Sequence, residues 1–247
     1  MLPKFLLVTP VWNDSVRLEH FGVELAKVLA VSGLNITWVI ADDGSDTEEV
    51  VQLERLKKKF SQIYSDVLLH LHPERSFKGG AIYQSWQQFP DVDYYAFVDA
   101  DGAVSAPELM RMLNCASDSE NLDMSFVAVR HFSGSLTVDR SLLRKATFHL
   151  FRILVRGIVG LKWMDTQCGA KVISGRSYRA VSERLVEDGF VFDVELLATL
   201  EQGAWPITEL PIMWQEIPGS KLRLWRDLWF MTRGLMRIRR RLNTSDL

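Results

Sequence analysis

YYAFVDADGAV, residues 94–104, is the stretch from which the architecture can be read. Its first part, YYAFVDA at 94 to 100, is an apolar, aromatic run that reads as a strand, and a helix begun by Pro107 follows. Outward toward the N-terminus the same alternation repeats: helical periodicity at 79 to 89, VLLHL at 67 to 71, a helix at 48 to 60, ITWVIA at 36 to 41, a helix at 16 to 31 and FLLVT at 5 to 9. On the other side, SFVAVR closes a further strand at Arg130. Strands that are apolar throughout belong to a parallel sheet covered on both faces. The expectation is an α/β fold with a mostly parallel central sheet flanked by helices. Ligands of such sheets bind beyond the carboxyl ends of the strands, so the polar residues just after each strand matter most.

Composition bounds the class. Of 247 residues, 47% are hydrophobic and 24% charged, which is globular and excludes disorder, collagen and a disulfide scaffold. Two cysteines, Cys115 and Cys168, can form neither a staple framework nor a four-ligand zinc site, so a reducing, cytoplasmic setting is expected. The N-terminal apolar stretch is too short for a signal peptide, and the apolar region 146 to 161 is interrupted by His149, Arg152 and Arg156, so no segment is expected to cross a bilayer. The near-neutral charge of −2 hides a basic C-terminus: Lys221 to Arg241 carries eight basic residues and the single acid Asp227. Leu222, Trp225, Leu228, Trp229, Leu235 and Met236 recur at helical spacing there, beside Arg223, Arg226, Arg233 and Arg237. The chain therefore divides into a body at 1–221 and a basic amphipathic helix at 222–247. That helix either contacts an anionic membrane surface or packs on the body with a solvated basic end. The stretch 141 to 163, with Arg144, Lys145, Arg152, Arg156 and Lys162, is open to the same two readings. No zinc finger, RNP-type signature or second basic cluster accompanies them, so a nucleic-acid partner is not expected.

Four polar clusters end the first strands: Thr9 to Asp14, Asp42-Asp43-Gly44-Ser45, Lys78-Gly79-Gly80 and Asp99-Ala100-Asp101. There is no GxGxxG, no phosphate loop of the GxxxxGK[ST] type and no HExxH, so carboxylates must explain the site. Asp99 and Asp101 place two oxygen donors where the chain leaves the sheet. Mg²⁺ is commonly held by one or two carboxylates plus substrate phosphates, although a turn or capping pair beside Gly102 is an equally local explanation. Asp42 to Ser45 either form a turn and helix cap or accept hydrogen bonds from a nucleoside, and Lys78-Gly79-Gly80 either approaches a phosphate or makes a surface turn. Arg130 and Arg144, with Arg140 nearby, could converge on one anion through their planar forks, with Arg140 the one best read as ordinary surface. Cys168 has no basic neighbour in sequence and reads as a packed thiol, and the five His residues show no ligand pattern.

In order, PVWND, DDGS, KGGA, DADGA, DTQCGAK, FDVELL and EIPGSK resemble the inverting glycosyltransferases of the A-type nucleotide-diphospho-sugar (GT-A) fold, and among them the dolichyl- or polyprenyl-phosphate glucosyltransferases. The motifs run from Pro10 to Lys221. The resemblance implies that Pro10, Trp12, Asp14, Ala41 and Asp43 line the nucleoside pocket, with Lys78, Ala100 and Lys221 also on the donor. It implies that Asp99 and Asp101 bracket a Mg²⁺ or Mn²⁺ on the diphosphate, Asp101 as direct ligand. DADGA is closer to the glucosyl branch than to the mannosyl branch, where a Gln-type residue often replaces Ala103, which favours a UDP-sugar over GDP-mannose. Arginines at about the positions of Arg130 and Arg144 hold the lipid phosphate acceptor in the resembling enzymes.

An acceptor phosphate is already an anion near neutral pH, so direct attack on the anomeric carbon needs positioning and leaving-group neutralisation rather than a strong base. A soluble or glycan hydroxyl acceptor would need one, with Asp165 or Glu195 as candidates. Asp165 is expected in the site in either case, near the acceptor or organising the arginines. A non-catalytic nucleotide-sugar scaffold is the third reading. The chain departs from the family at Phe77, where glycine is usual, and at Trp12 and Asp14, which replace Tyr and Glu, and it is expected to be without the C-terminal membrane helices of many relatives.

Overall fold

The computed structural model describes residues 2–131, 149–215, 217 and 224–244. A seven-stranded sheet runs through them in the order β3-β2-β1-β4-β6-β5-β7. Its strands are β1 (Lys4–Val11), β2 (Asn35–Asp42), β3 (Val67–Leu71), β4 (Tyr94–Val98), β5 (Ser125–His131), β6 (Ala170–Ser174) and β7 (Ile207–Met213). Only β6 runs against the others; β1 to β4 are mutually parallel, and β5 and β7 return to that direction. The expected alternation is present, and the mostly parallel sheet is as anticipated. The strand expected over 94 to 100 ends at Val98, because Asp99 and Asp101 turn out of the sheet. The reversed strand β6 and the last strand β7 complete the half of the sheet beyond β4.

The helices follow the apolar spacing. In α1 (Ser15–Val31), Leu18, Phe21, Gly22, Leu25, Ala26 and Leu29 form one buried stripe at three- and four-residue intervals. Gly22 is needed there because a Cβ would lie 2.4 Å from Phe60 of α2 (Thr47–Ser61). Asp46 caps α2 by accepting from the Glu49 amide at 3.0 Å, and Ser105 caps α4 (Ala106–Ser117) at the Glu108 amide, with Pro107 in its first turn. On the other face lie α3 (Phe77–Gln87), α6 (Gly175–Val181) and α7 (Phe192–Gln202), while a helix α5 over 149–158 and α8 (Leu224–Thr244) cover the β5 end.

Strand pleating divides the core into two layers. Phe5 and Leu7 of β1, Trp38 and Ile40 of β2 and Tyr94, Ala96 and Val98 of β4 pack against α1, α2 and α4. Leu6, Val8, Val39, Tyr95 and Phe97 face α3, α6 and α7. A third cluster joins Val127 of β5, Phe151 and Val155 of α5, Val194 and Leu197 of α7 and Leu235 and Ile238 of α8. With both faces covered, the open positions are the carboxyl ends of β1, β2, β4 and β5.

Candidate active site

β4 delivers the carboxylate pair. The Asp99 amide donates to the Gly169 carbonyl at 2.9 Å, which ties the strand end to the loop preceding β6. Gly102 then turns the chain at φ +75°, and the Ala103 amide donates to Asp101 Oδ1 at 3.0 Å. Lys78 of α3 places Nζ 2.7 Å from Asp99 Oδ1, and Arg17 of α1 lies 3.7 Å from Asp101 Oδ2. Burial and the charge of Asp99 push the Asp101 carboxyl above its ordinary range. Burial acts to lower the Lys78 ammonium pKa, but the carboxylates of Asp99, Asp193 and Asp101 together outweigh it and the net shift is upward. Two adjacent, partly exposed carboxylates offer a hard divalent cation its preferred oxygen donors. Among the described residues no group of three or more acidic, His or Cys side chains converges, so remaining ligands would have to come from phosphate and water. The donor set fits Mg²⁺ or Mn²⁺ bound together with a diphosphate.

The ends of β1 and β2 form the neighbouring half. Pro10 pairs in register with Ala41, and the Asp43 amide donates to the Val11 carbonyl at 2.8 Å. Ala41 and Ala100 are buried, with their side chains in the two core layers. Asn13, at φ +46°, bridges the two strand ends: its amide donates to Ser45 Oγ at 2.8 Å and its side-chain oxygen accepts from the Asp46 amide at 3.0 Å. Asp42 accepts from the Ser45 amide and so is a turn carboxylate. Asp43 accepts from the Ser76 amide at 2.6 Å and lies 3.8 Å from Arg75, yet burial still raises its pKa. Asp14 pairs with Arg17, which therefore links it to Asp101. Arg75 lies over the Trp12 ring at 3.4 Å and 5.0 Å from that of Phe77. Phe77 sits at φ +58°, the left-handed region that a glycine enters freely.

At the end of β5, Arg130 is held by two parallel bonds to Asp165, Nε to Oδ2 at 2.6 Å and Nη2 to Oδ1 at 2.8 Å. The Gln167 amide adds a bond to Asp165 at 3.1 Å, and the Trp214 ring stands 5.6 Å from the guanidinium. Asp165 is thus paired with Arg130. Arg140, Arg144 and Lys221 lie outside the described residues. Cys168 is fully buried, and burial pushes its thiol up to about 12, in keeping with a packed, inert side chain.

Two open readings are narrowed. The Gly79 and Gly80 amides donate to the Asp188 carbonyl at 2.7 and 3.3 Å, so the start of α3 is already satisfied and does not present these amides to a phosphate. A Cβ on Gly79 would lie 2.5 Å from Phe192 Cβ, which shows that the glycine serves close packing, while Lys78 alone reaches the crevice. Glu195, a candidate base, accepts from the Val186 and Glu187 amides at 2.8 and 2.6 Å and pairs with Arg241, so it organises that loop and α8. One group went unassigned in the sequence: Lys171 of the DTQCGAK motif is fully buried and paired with Asp193 at 2.7 Å. A lysine inside an otherwise apolar strand, AKVIS, was the available signal.

The glycosyl transferase family 2 model matches residues 7–179, which hold most of β1, all of β2 to β6 and both halves of the crevice. A dolichyl-phosphate beta-glucosyltransferase of Saccharomyces cerevisiae is 30% identical over 94% of this chain and 73% of its own length. That of Dictyostelium discoideum gives the same values, and that of Mus musculus is 28% identical over 97% and 76%. Among solved structures, glucosyl-3-phosphoglycerate synthase of Mycobacterium tuberculosis with Mn²⁺, UDP and phosphoglyceric acid superposes with a TM-score of 0.69 at 15% identity, over 97% of this chain and 78% of that one. Its complex with Mg²⁺ and UDP gives 0.66. The architecture is therefore the GT-A glycosyltransferase fold, with its sheet order, reversed β6 and strand-end carboxylates, and the chain belongs to glycosyl transferase family 2.

Proposed function

We propose that this glycosyltransferase moves glucose from UDP-glucose to the phosphate of a polyprenol such as dolichol, with inversion at the anomeric carbon. The observation that carries the reading is the pairing of two charge-complementary strand ends: the Asp99/Asp101 carboxylates beyond β4, and beyond β5 an Arg130 guanidinium fixed by Asp165. β6 alone separates the two strands in the sheet. The 30% identity to dolichyl-phosphate beta-glucosyltransferases supports the choice of sugar and acceptor.

Asp99 and Asp101 would hold Mg²⁺ or Mn²⁺, which when bound neutralises charge on the departing diphosphate. Lys78 adds a cation on the same side, and Trp12, Asp14 and Asp43 bound the place for the nucleoside. Arg130, positioned by Asp165, receives the acceptor phosphate and orients its oxygen. That oxygen forms the bond to the anomeric carbon while the bond from this carbon to the diphosphate breaks, and UDP leaves. The acceptor is already anionic, so no proton need be removed. Both base candidates being engaged elsewhere, Asp165 by Arg130 and Glu195 by Arg241, favours a phosphate over a hydroxyl acceptor.

Among the described residues no helix is long and apolar enough to cross a membrane. We infer that the chain meets a lipid-borne acceptor through surface contact: α8 exposes Trp229, Phe230 and Met236 beside Arg233, Arg239 and Arg240, and α5 exposes Leu150 and Ile153.

The test is transfer of labelled glucose from UDP-glucose to polyprenyl phosphate, with Mn²⁺ and with EDTA, by the parent chain and R130A. Metal-dependent transfer that falls about a hundredfold in R130A while UDP-glucose hydrolysis is kept is the expected result. Equal transfer by R130A, or transfer to a saccharide hydroxyl in its place, overturns the acceptor assignment.

A further inference from the structure

Resting on that reading of the two strand ends, we propose that Lys171 is a positioning residue of the transfer reaction, its buried ammonium setting the placement of Asp99 relative to Arg130. Lys171 is fully buried on β6, the strand that lies between β4 and β5. An ammonium has three hydrogens, and here it has three acceptors: the Thr166 carbonyl at 3.0 Å, the Cys168 carbonyl at 3.1 Å and Asp193 Oδ1 at 2.7 Å. Removing a charge from water is costly, and an apolar pair of similar volume would commonly serve stability as well or better. The retained ion pair therefore calls for another reason.

That reason lies in what the two carbonyls belong to. The segment 165–169 is neither helix nor strand, so its backbone polar groups need partners outside a ladder, and Lys171 supplies a donor to the carbonyls of Thr166 and Cys168. At one end it carries Asp165, which fixes Arg130. At the other it carries Gly169, whose carbonyl accepts from the Asp99 amide at 2.9 Å and whose missing side chain leaves room for Asp99: a Cβ would stand 2.3 Å from Asp99 Oδ2. One ammonium thus pins both ends of the segment that joins the acceptor guanidinium to the donor carboxylate. Asp193 anchors the clamp to α7, and the Phe97 ring lies 5.2 Å from the ammonium.

The experiment uses the full chain with Mn²⁺ and compares the parent with K171M/D193L, in which both charges are replaced by apolar groups. Unfolding temperature, kcat and KM for UDP-glucose in transfer, and the rate of UDP-glucose hydrolysis are measured. The expected result is an unfolding temperature within a few degrees of the parent, KM within about twofold, and kcat for transfer lower by about a hundredfold, as a displacement near 1 Å produces. A folded K171M/D193L with kcat within about twofold of the parent overturns the proposal. Should that pair not fold, K171R is held to the same standard: it keeps the charge and Asp193, but its planar fork does not reproduce a three-way ammonium. A parent that hydrolyses UDP-glucose with Mn²⁺ but never transfers to polyprenyl phosphate refutes the acceptor reading alone, and the variants are then compared on hydrolysis. A parent that does neither refutes both.

Discussion

At the scale of single residues, the crevice is set by small groups as much as by charged ones. Gly169 faces the Asp99 carboxylate so closely that G169A has to displace it. This variant is expected to fold and to lose the stabilisation that UDP with Mn²⁺ gives the parent, read as a vanished shift in unfolding temperature; a shift of parental size would show that Asp99 tolerates the displacement. D101A removes a donor from the proposed cation site and is expected to lower metal-dependent transfer by about 10²–10³-fold, measured as kcat at saturating Mn²⁺. Phe77 is a different case. It holds φ +58° while half-exposed, at a cost of about 1–2 kcal/mol for a side chain in the left-handed region. F77G relieves that and adds about 0.5–1 kcal/mol of backbone entropy cost, so a slight rise in stability, about 1–3 °C by thermal unfolding, is expected.

At the scale of elements, α8 is held by charge as well as by Leu235 and Ile238. Glu187 is buried and accepts from Arg237 Nε at 2.9 Å and from Arg241 Nη2 at 2.7 Å. Burial alone would raise its pKa, but the two guanidinium groups outweigh it and hold it below the usual carboxylate range. A carboxyl with a depressed folded pKa contributes stability that is complete above its unfolded pKa, about 4.3, and is lost as pH falls through the folded value. E187Q is therefore expected to be less stable than the parent at pH 7 by about 1–2 kcal/mol, with the gap closing as pH falls through the region below 4.3, checked by urea unfolding across pH. On the outer side of the same helix, W229A/F230A is expected to reduce flotation with vesicles containing anionic lipid while leaving UDP binding intact, because both rings are exposed and the Trp229 ring lies beside Arg233.

At the scale of the molecule, a ligand that binds the folded chain stabilises it by mass action, about 2.7 kcal/mol at a hundredfold excess over Kd. UDP with Mn²⁺ is expected to raise the unfolding temperature by about 5–10 °C, and GDP or UDP with EDTA by much less. The series of strands and helices up to α4 was legible in the sequence, since apolar periodicity and a helix-starting residue such as Pro107 are local and the expected spans match to within a few residues. So were the polar clusters, because a parallel sheet puts every strand's carboxyl end on one side. What these clusters do with one another was not legible. Asp165 and Arg130 are 35 residues apart and Lys171 and Asp193 are 22 apart, and their pairing follows from β6 entering the sheet in reverse between β4 and β5. Nor was it legible that Glu195 pairs with Arg241 of α8 or that the Gly79 and Gly80 amides bond the Asp188 carbonyl. The sequence by itself determined the fold class and which residues carry charge at the strand ends, because those depend on local periodicity and chain direction. Only the tertiary structure decided which charges neutralise each other and which face the crevice, because that depends on distances between segments remote in the chain.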